Sequence, residues 1–461
     1  MQKYLIKNIT VVNEGLSSVR DVLIKNGRIE KIDRTINADP DAQEINGEGK
    51  NLLPGVIDDQ VHFREPGLTH KATIYSEAKA AIAGGTTSFM EMPNTIPPVF
   101  TQELLEEKYA IAARTSLANY SFYMGTSNEN PDEALRTNDK RRNVCGIKIF
   151  MGSSTGGLLV DNYITLDKIF RESEVLIATH CEDEKIIRAN YDRLKKEKDI
   201  LLPSDHPLIR DENACFESSL VAIQFAKKYN TRLHILHIST EKELQLFSNM
   251  VPLDQKRITA EVCVHHLHFT AFDYDILGNR IKCNPAIKAP LNKQALWNAL
   301  LDDRLDVIAT DHAPHTLEEK GFQRNPDGSL SQTAGNPYEK SHAGLPLGQH
   351  SLLLMLHYVK EGRITIEKVV EKMSHSVATC FQIADRGFIR EGYHADMVIV
   401  DLNQQTLINK ENILYKCGWS PLESFTMPAV VTHTFVNGSM VYGNGQWNES
   451  QMGQRLEFKA P

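Results

Sequence analysis

No stretch of the 461-residue chain approaches the run of about 18–20 apolar residues that spans a membrane. The opening MQKYLIKNITVVNEG has too short an apolar run and no cleavage pattern, so no signal peptide is expected. Cysteines are few and scattered (Cys145, Cys181, Cys215, Cys263, Cys283, Cys380 and Cys417), odd in number and without a Cys-x-x-Cys pair. That argues against a disulfide framework and for a reducing, cytoplasmic setting. A long basic stripe is also missing and the formal net charge is −8, so nucleic acid is not an expected partner, and neither is a membrane. The charge runs Arg193–Asp199 and Asp139–Arg142 read as solvated faces. No Gly-x-Gly-x-x-Gly follows the first strand of the middle region, which weakens a dinucleotide-binding reading. Gly152–Gly157 could cradle a phosphate, but it lacks the trailing Lys-Ser/Thr of a P-loop and reads as a flexible loop.

What is present divides into two textures. The ends are β-rich. YLIKNITVV and DVLIKNGRIEKI alternate around an Asn26-Gly27 turn, a strong hairpin signal. His394–Leu402 and Val430–Tyr442 read as strands at the far end, the latter with a second such turn at Asn437-Gly438. Together they suggest one small sheet domain built from both termini. The middle alternates instead. Eight β-like runs are Gly55–Phe63, Thr87–Met92, Asn119–Met124, Val144–Met151, Glu174–Cys181, Arg232–Ile238, Ile258–His266 and Asp306–Thr310. Helical patterns such as Thr73–Ala83, Gln102–Thr115, Phe216–Lys228, Glu241–Asn249 and Gln294–Leu301 separate them. The fold class expected is α/β: a (β/α)8 TIM barrel at 54–388, with a small β-sandwich domain from 1–53 and 389–461. An open doubly wound sheet is the alternative.

A barrel keeps its chemistry at the carboxyl ends of its strands. Those ends carry His62 with Arg64, Asn94, Lys148, His180, His237, His265 with His266, and Asp311 with His315. His180, His237 and Asp311 form a candidate metal set, with His62 a fourth member. Lys148 lies inside the apolar run GIKIFMG, where a bare ammonium is costly. It is either a snorkelling or ion-paired lysine, or an amine that has reacted with carbon dioxide. The carbamate would be an anionic ligand able to bridge two cations.

The motifs PGVIDDQVHFREPG (Pro54–Gly67), EMPNT (Glu91–Thr95), IKIFMGSSTG (Ile147–Gly156), ATHCED (Ala178–Asp183), LHILHIST (Leu233–Thr240), EVCVHHLHFT (Glu261–Thr270), KCNPAIK (Lys282–Lys288), ATDHAPHT (Ala309–Thr316) and KCGWSPLESF (Lys416–Phe425) span nearly the whole chain. In this order they resemble the cyclic amidohydrolases of the amidohydrolase superfamily, most closely the dihydroorotase family. The resemblance implies zinc, one to two ions per chain, held by His62, carboxylated Lys148, His180, His237 and Asp311. It implies substrate contacts at Arg64, Asn94, Asn284 and His315. It further implies reversible cyclisation of N-carbamoyl-L-aspartate to L-dihydroorotate in pyrimidine biosynthesis, with a metal-bridging hydroxide as nucleophile and Asp311 as ligand and proton shuttle. A homodimer is the implied assembly, with association to a carbamoyltransferase a further option.

One position departs from the family. Its first-strand motif is usually His-x-His, and here it reads Gln60-Val61-His62. A neutral amide oxygen is a weaker zinc ligand than imidazole. Either Gln60 ligates weakly, or water, Asp58 or Asp59 fills in, or one ion is tight and one loose. Two rival readings follow: another cyclic amidase (hydantoinase, dihydropyrimidinase or allantoinase), or an inactive scaffold. On residues alone Arg64 reads as a salt-bridge partner of Glu65 or Asp58. Cys181 and Cys263 read as small buried residues, His265, His266 and His268 as structural, and His342 and His350 as loop and helix positions. Glu318–Gln332 reads as a mobile segment over the mouth.

Overall fold

A computed structural model describes residues 3–38, 40–152, 156–333 and 338–459. Part of the Gly152–Gly157 loop, residues 153–155, lies outside them.

All eight runs expected to be barrel strands are strands, though shorter than their apolar patterns: Val56–Val61, Thr86–Glu91, Asn119–Phe122 continuing as Met124–Gly125, Ile147–Phe150, Ile177–His180, Leu233–Ile235, Ile258–Cys263 and Val307–Ala309. Each pairs in parallel with the next. The ring closes between first and last, where Val61 bridges His312 and the His62 N–H donates to the His312 carbonyl at 2.7 Å. A (β/α)8 barrel therefore replaces the open-sheet alternative. Its strands are buried on both faces, which is why they read as near-continuous apolar runs.

Local chemistry sets the helices. Thr73 and Thr101 cap Ile74–Ala83 and Gln102–Thr115, each hydroxyl accepting a first-turn N–H. The helix expected over Glu241–Asn249 is only a 3-10 turn, Lys242–Leu246. Glu243 turns inward to accept the hydroxyls of Ser219 and Thr240, which tightens the chain. Glu318–Gln332 is folded: a turn of helix at Leu317–Lys320 leads into a hairpin of Phe322–Arg324 with Leu330–Gln332. Arg324 anchors that hairpin to Glu423 at 2.8 Å.

The terminal strands form one nine-stranded sheet, the small β-sandwich domain, in which Leu52 pairs with Ile399. One set of side chains builds its own core around Tyr4, Ile24, Met397 and Phe435. Val398, Val400 and Val436 join the main barrel core instead. Both Asn-Gly turns have the positive φ that a two-residue hairpin needs, 53° and 80° at Asn26-Gly27, 49° and 74° at Asn437-Gly438. The turns abut: a Cβ on Gly438 would lie 2.6 Å from the Gly27 Cα, so only glycine fits.

Candidate active site

Gln60, His62, Arg64, Asn94, Lys148, His180, His237, Asn284, Asp311 and His315 all line one cavity of about 210 Å³ at the carboxyl ends of the strands. Three of them are held with positive φ: Arg64 at 70°, His237 at 42° and Asp311 at 46°. Such backbone persists where its surroundings over-determine it. For Arg64 the cause is visible: Glu91, paired with buried Lys108 at 3.1 Å, accepts the N–H groups of Phe63 and Arg64. For His237 it is Glu261, whose carboxylate accepts the His237 N–H at 3.0 Å.

The donors fall into two pairs. His62 Nε2 lies 3.0 Å from Asp311 Oδ1, and His180 Nδ1 lies 2.9 Å from His237 Nε2. The outer nitrogens decide the tautomers. His62 Nδ1 donates to Asn94 Oδ1 at 2.8 Å, so Nε2 turns a lone pair on the carboxylate. His180 Nε2 donates to Glu182 at 3.1 Å, so Nδ1 is a lone pair as well. Burial pushes His62 down, against the pull of Asp311. Burial, then the neighbouring His180 and Lys148, push His237 well down. Acceptor thus faces acceptor at His62–Asp311, an arrangement that a cation relieves. Behind His180, Glu182 is held at about 2: burial opposes this, and Arg210 and His180 overcome it.

Lys148 completes the set. It is fully buried, its Nζ meets no hydrogen-bond partner among the described residues, and it stands 4.5 Å over the Phe150 ring. Burial brings it from 10.5 down to about 7. An unpartnered amine, half neutral near pH 7 and beside four metal-type donors, fits a lysine that becomes a carbamate ligand. The donor set therefore fits a divalent cation.

Gln60 is committed elsewhere. Its Nε2 donates to Asp311 Oδ1 at 3.2 Å, and Cys263 Sγ lies 3.8 Å from its Oε1. Neither neighbouring aspartate fills in. Asp58 accepts the Thr310 hydroxyl at 2.6 Å, and Asp59 lies 3.1 Å from His234 in the barrel interior. The expected Arg64 salt bridge to Glu65 or Asp58 is not what the structure has. Arg64 Nε donates to the Pro314 carbonyl, its terminal nitrogen faces His315 Nε2 at 3.1 Å, and Glu65 accepts the Ile74 N–H. His312 is structural, bonded to Glu77 at 2.8 Å and accepting the Leu347 and Gly348 N–H groups. Asn284 Oδ1 lies 3.1 Å from His206 Nε2.

Sequence reasoning missed the far wall, His342–Ala343–Gly344. Buried Lys320 holds it, donating to the carbonyls of His342 and Gly344. It also missed Lys71 and Glu319, which bracket His315. The signal for Glu319 was the Thr316-x-x-Glu319 capping box that follows the Asp311–His315 stretch. Trp419, from the carboxyl-terminal motif, donates to the His315 carbonyl at 2.7 Å.

The amidohydrolase family model matches residues 51–441, and the chain belongs to that family. Among curated relatives, the dihydroorotase of Pyrococcus furiosus is 32% identical over 460 residues, covering 99% of this chain and 95% of the relative. The dihydroorotase of Listeria innocua is 31% identical, covering 96% and 99%. Among solved structures, the L-hydantoinase of Arthrobacter aurescens superposes with a TM-score of 0.89 at 24% identity, covering 99% and 100%. The dihydropyrimidinase of Brevibacillus agri gives 0.86 at 22%, covering 100% of both chains. The structures establish the shared fold, and the curated relatives place the chain beside dihydroorotases.

Proposed function

We propose that the chain is a zinc-dependent dihydroorotase that interconverts N-carbamoyl-L-aspartate and L-dihydroorotate. The observation that carries the reading is a guanidinium, Arg64, in the same cavity as an unpartnered buried lysine and four metal-type donors. Relatives named dihydroorotase at about this length support it. His62 and Asp311 on one side, His180 and His237 on the other, and Lys148 as its carbamate would hold one to two zinc ions, with Gln60 at most a weak ligand. When bound, the cation supplies Lewis acidity at the scissile amide.

The residues of the chain do the rest. Arg64 offers a planar fork to the carboxylate of the ring. Asn94 spends its Oδ1 on His62, so its amide N–H groups remain for the substrate. Asn284 and His315 complete the grip. Asp311 takes the proton of the attacking water and delivers it to the leaving nitrogen. In ring closure the same carboxylate runs the transfer backwards.

A hydantoinase or dihydropyrimidinase would act on rings without that carboxylate, and Arg64 would then have nothing to hold. An inactive scaffold has no need of an orphaned lysine. We further propose a division at 53/54 and 388/389, a cytoplasmic location, and a homodimer, with association to a carbamoyltransferase a further option. No helix among the described residues is long and apolar enough to cross a membrane. The test is ring closure on N-carbamoyl-L-aspartate with and without chelator. Activity that chelation removes and zinc restores is expected. Turnover of hydantoin or dihydrouracil in its place overturns the reading.

A further inference from the structure

His315 has four polar neighbours arranged in an unusual way. At Nδ1 stand Lys71 Nζ, 3.1 Å away, and Glu319 Oε2, 3.2 Å away. At Nε2 stand the Arg64 terminal nitrogen and the Ala343 carbonyl, each at 3.1 Å. Each ring nitrogen thus faces one group that only donates and one that only accepts. A neutral imidazole has one N–H and one lone pair, so it can satisfy one diagonal or the other, never both. With the proton on Nδ1, His315 donates to Glu319 and accepts from Arg64. With the proton on Nε2, it donates to Ala343 or to a ligand and accepts from Lys71.

The ring has little other freedom. A Cβ on Gly344, whose φ is 142°, would lie 3.0 Å from His315 Cδ2, so the wall is in close contact with the ring edge. Trp419 holds the backbone. The His342 ring covers one side, its centroid 4.9 Å away. Burial, then the cations Arg64 and Lys71, keep the imidazole neutral, against the pull of Glu319. Lys71 and Glu319 are themselves paired at 2.9 Å, so both stay in place whichever tautomer is present.

We infer that His315 is a tautomer switch set by Lys71 and Glu319, which turns from acceptor to donor when an anionic carboxylate docks on Arg64. The inference rests on the proposed docking of a substrate carboxylate at that guanidinium. With no carboxylate on the guanidinium, Arg64 donates into Nε2 and the ring proton is on Nδ1. An incoming carboxylate takes that donor away and presents an acceptor in its place. Nδ1 then releases one proton through Glu319 to solvent, and solvent returns one to Nε2 through the cavity water, which ends unchanged, so His315 stays neutral and no net charge moves. Lys71 fills the lone pair created on Nδ1. The carboxylate gains a third donor, and Lys71 and Glu319 act as positioning residues that never touch it.

Heteronuclear NMR of histidine labelled with the heavy nitrogen isotope reads the two tautomers directly. The His315 signals are those absent from His315→Gln. In the ligand-free protein, Glu319→Gln is expected to shift His315 from Nδ1–H towards Nε2–H, while Lys71→Met is expected to hold it as Nδ1–H with or without ligand. A ring that stays Nδ1–H in ligand-free Glu319→Gln overturns the switch, whatever the enzyme acts on. Adding L-dihydroorotate to the wild type is expected to give Nε2–H. If other cavity histidines shift on addition while His315 keeps Nδ1–H, the switch is wrong and the docking stands. If no cavity histidine responds, the docking is wrong, and the ligand-free variants still decide whether the ring is poised. In turnover, loss of one charge-assisted contact predicts a KM about tenfold higher in Lys71→Met, with kcat much less affected and Lys71→Arg restoring KM. A fall in kcat alone would overturn the positioning role.

Discussion

Gln60 Nε2 donates to Asp311 Oδ1 at 3.2 Å, across the seam where the first and last barrel strands meet. The amide therefore satisfies the carboxylate from the side on which the family usually carries an imidazole. Its Nε2 is thereby occupied, and its Oε1 faces Cys263 Sγ at 3.8 Å. Gln60 thus holds Asp311 in place by a hydrogen bond that needs no cation.

Gln60→His is accordingly expected to tighten the weaker of the two metal positions. Outer-shell partners alone change metal affinity by about 10–100-fold, so exchanging a ligand should move it at least that far. Zinc per chain after dialysis against a weak chelator should rise from nearer one to nearer two. Equal zinc content in wild type and variant would show that Gln60 is not at a metal position.

Lys148 gives a prediction in which stability and activity part company. A buried amine without a partner costs stability, and methionine has similar length and no charge. Lys148→Met is expected to abolish turnover yet stabilise the metal-free fold by about 1–3 kcal/mol. The pH dependence follows from the depressed folded value of about 7 against 10.5. Below pH 7 the amine is charged in both states and the folded state bears the full penalty. As pH rises towards 10.5 the folded state has already shed its proton and the penalty fades. Urea unfolding of the metal-free proteins at pH 6.5 and 9.5 should show the larger gain at the lower pH. A destabilised variant at both would mean that Lys148 is paired in the folded protein.

Much of this was legible in the chain because barrel strands buried on both faces read as apolar runs and end in polar residues on one rim. Ten residues chosen from seven different strand ends and their loops share one cavity for that reason. What escaped depends on contacts remote in sequence. Period-two alternation does not foresee Asp59 reaching His234, because the register with the second strand shifts between Asp58 and Val61. Lys71 meets His315 only through a loop whose course no local pattern encodes, whereas Glu319 is four residues on, in the capped turn Leu317–Lys320. The helix expected after Thr240 failed because Glu243 is recruited to buried hydroxyls, a tertiary demand that outweighs helical propensity.

Arg64 separates the proposed reaction from its neighbours. Its main chain is held by Glu91 independently of its side chain, so Arg64→Ala should leave the fold and the zinc content unchanged. Losing a two-donor grip on a carboxylate removes about 3 kcal/mol, which is about 100-fold or more in kcat/KM for N-carbamoyl-L-aspartate. Steady-state kinetics beside metal analysis checks both halves. Normal turnover in the variant would point to a substrate without a carboxylate.

The buried histidines set the pH window of the fold. Burial lowers His265 and His268 to about 4 and His350 to about 3. Unfolded, each would titrate near 6.5, so between that value and about 4 the unfolded chain binds protons that the folded one refuses. Stability from these groups is complete above pH 6.5 and is lost progressively as pH falls. His234 has the opposite sign. Although burial opposes it, Asp59 and Glu261 raise it to about 9. Its contribution is complete below 6.5 and is lost as pH climbs through 9. The two trends bracket a stability maximum near neutrality. In Lys148→Met, where the opposing lysine is gone, the urea midpoint of the metal-free protein should fall on both sides of it, more steeply in acid, where several histidines act together. In His234→Gln the alkaline decline should flatten while the acid limb stays in place. An alkaline limb that survives that substitution would move its origin away from the Asp59–His234–Glu261 cluster.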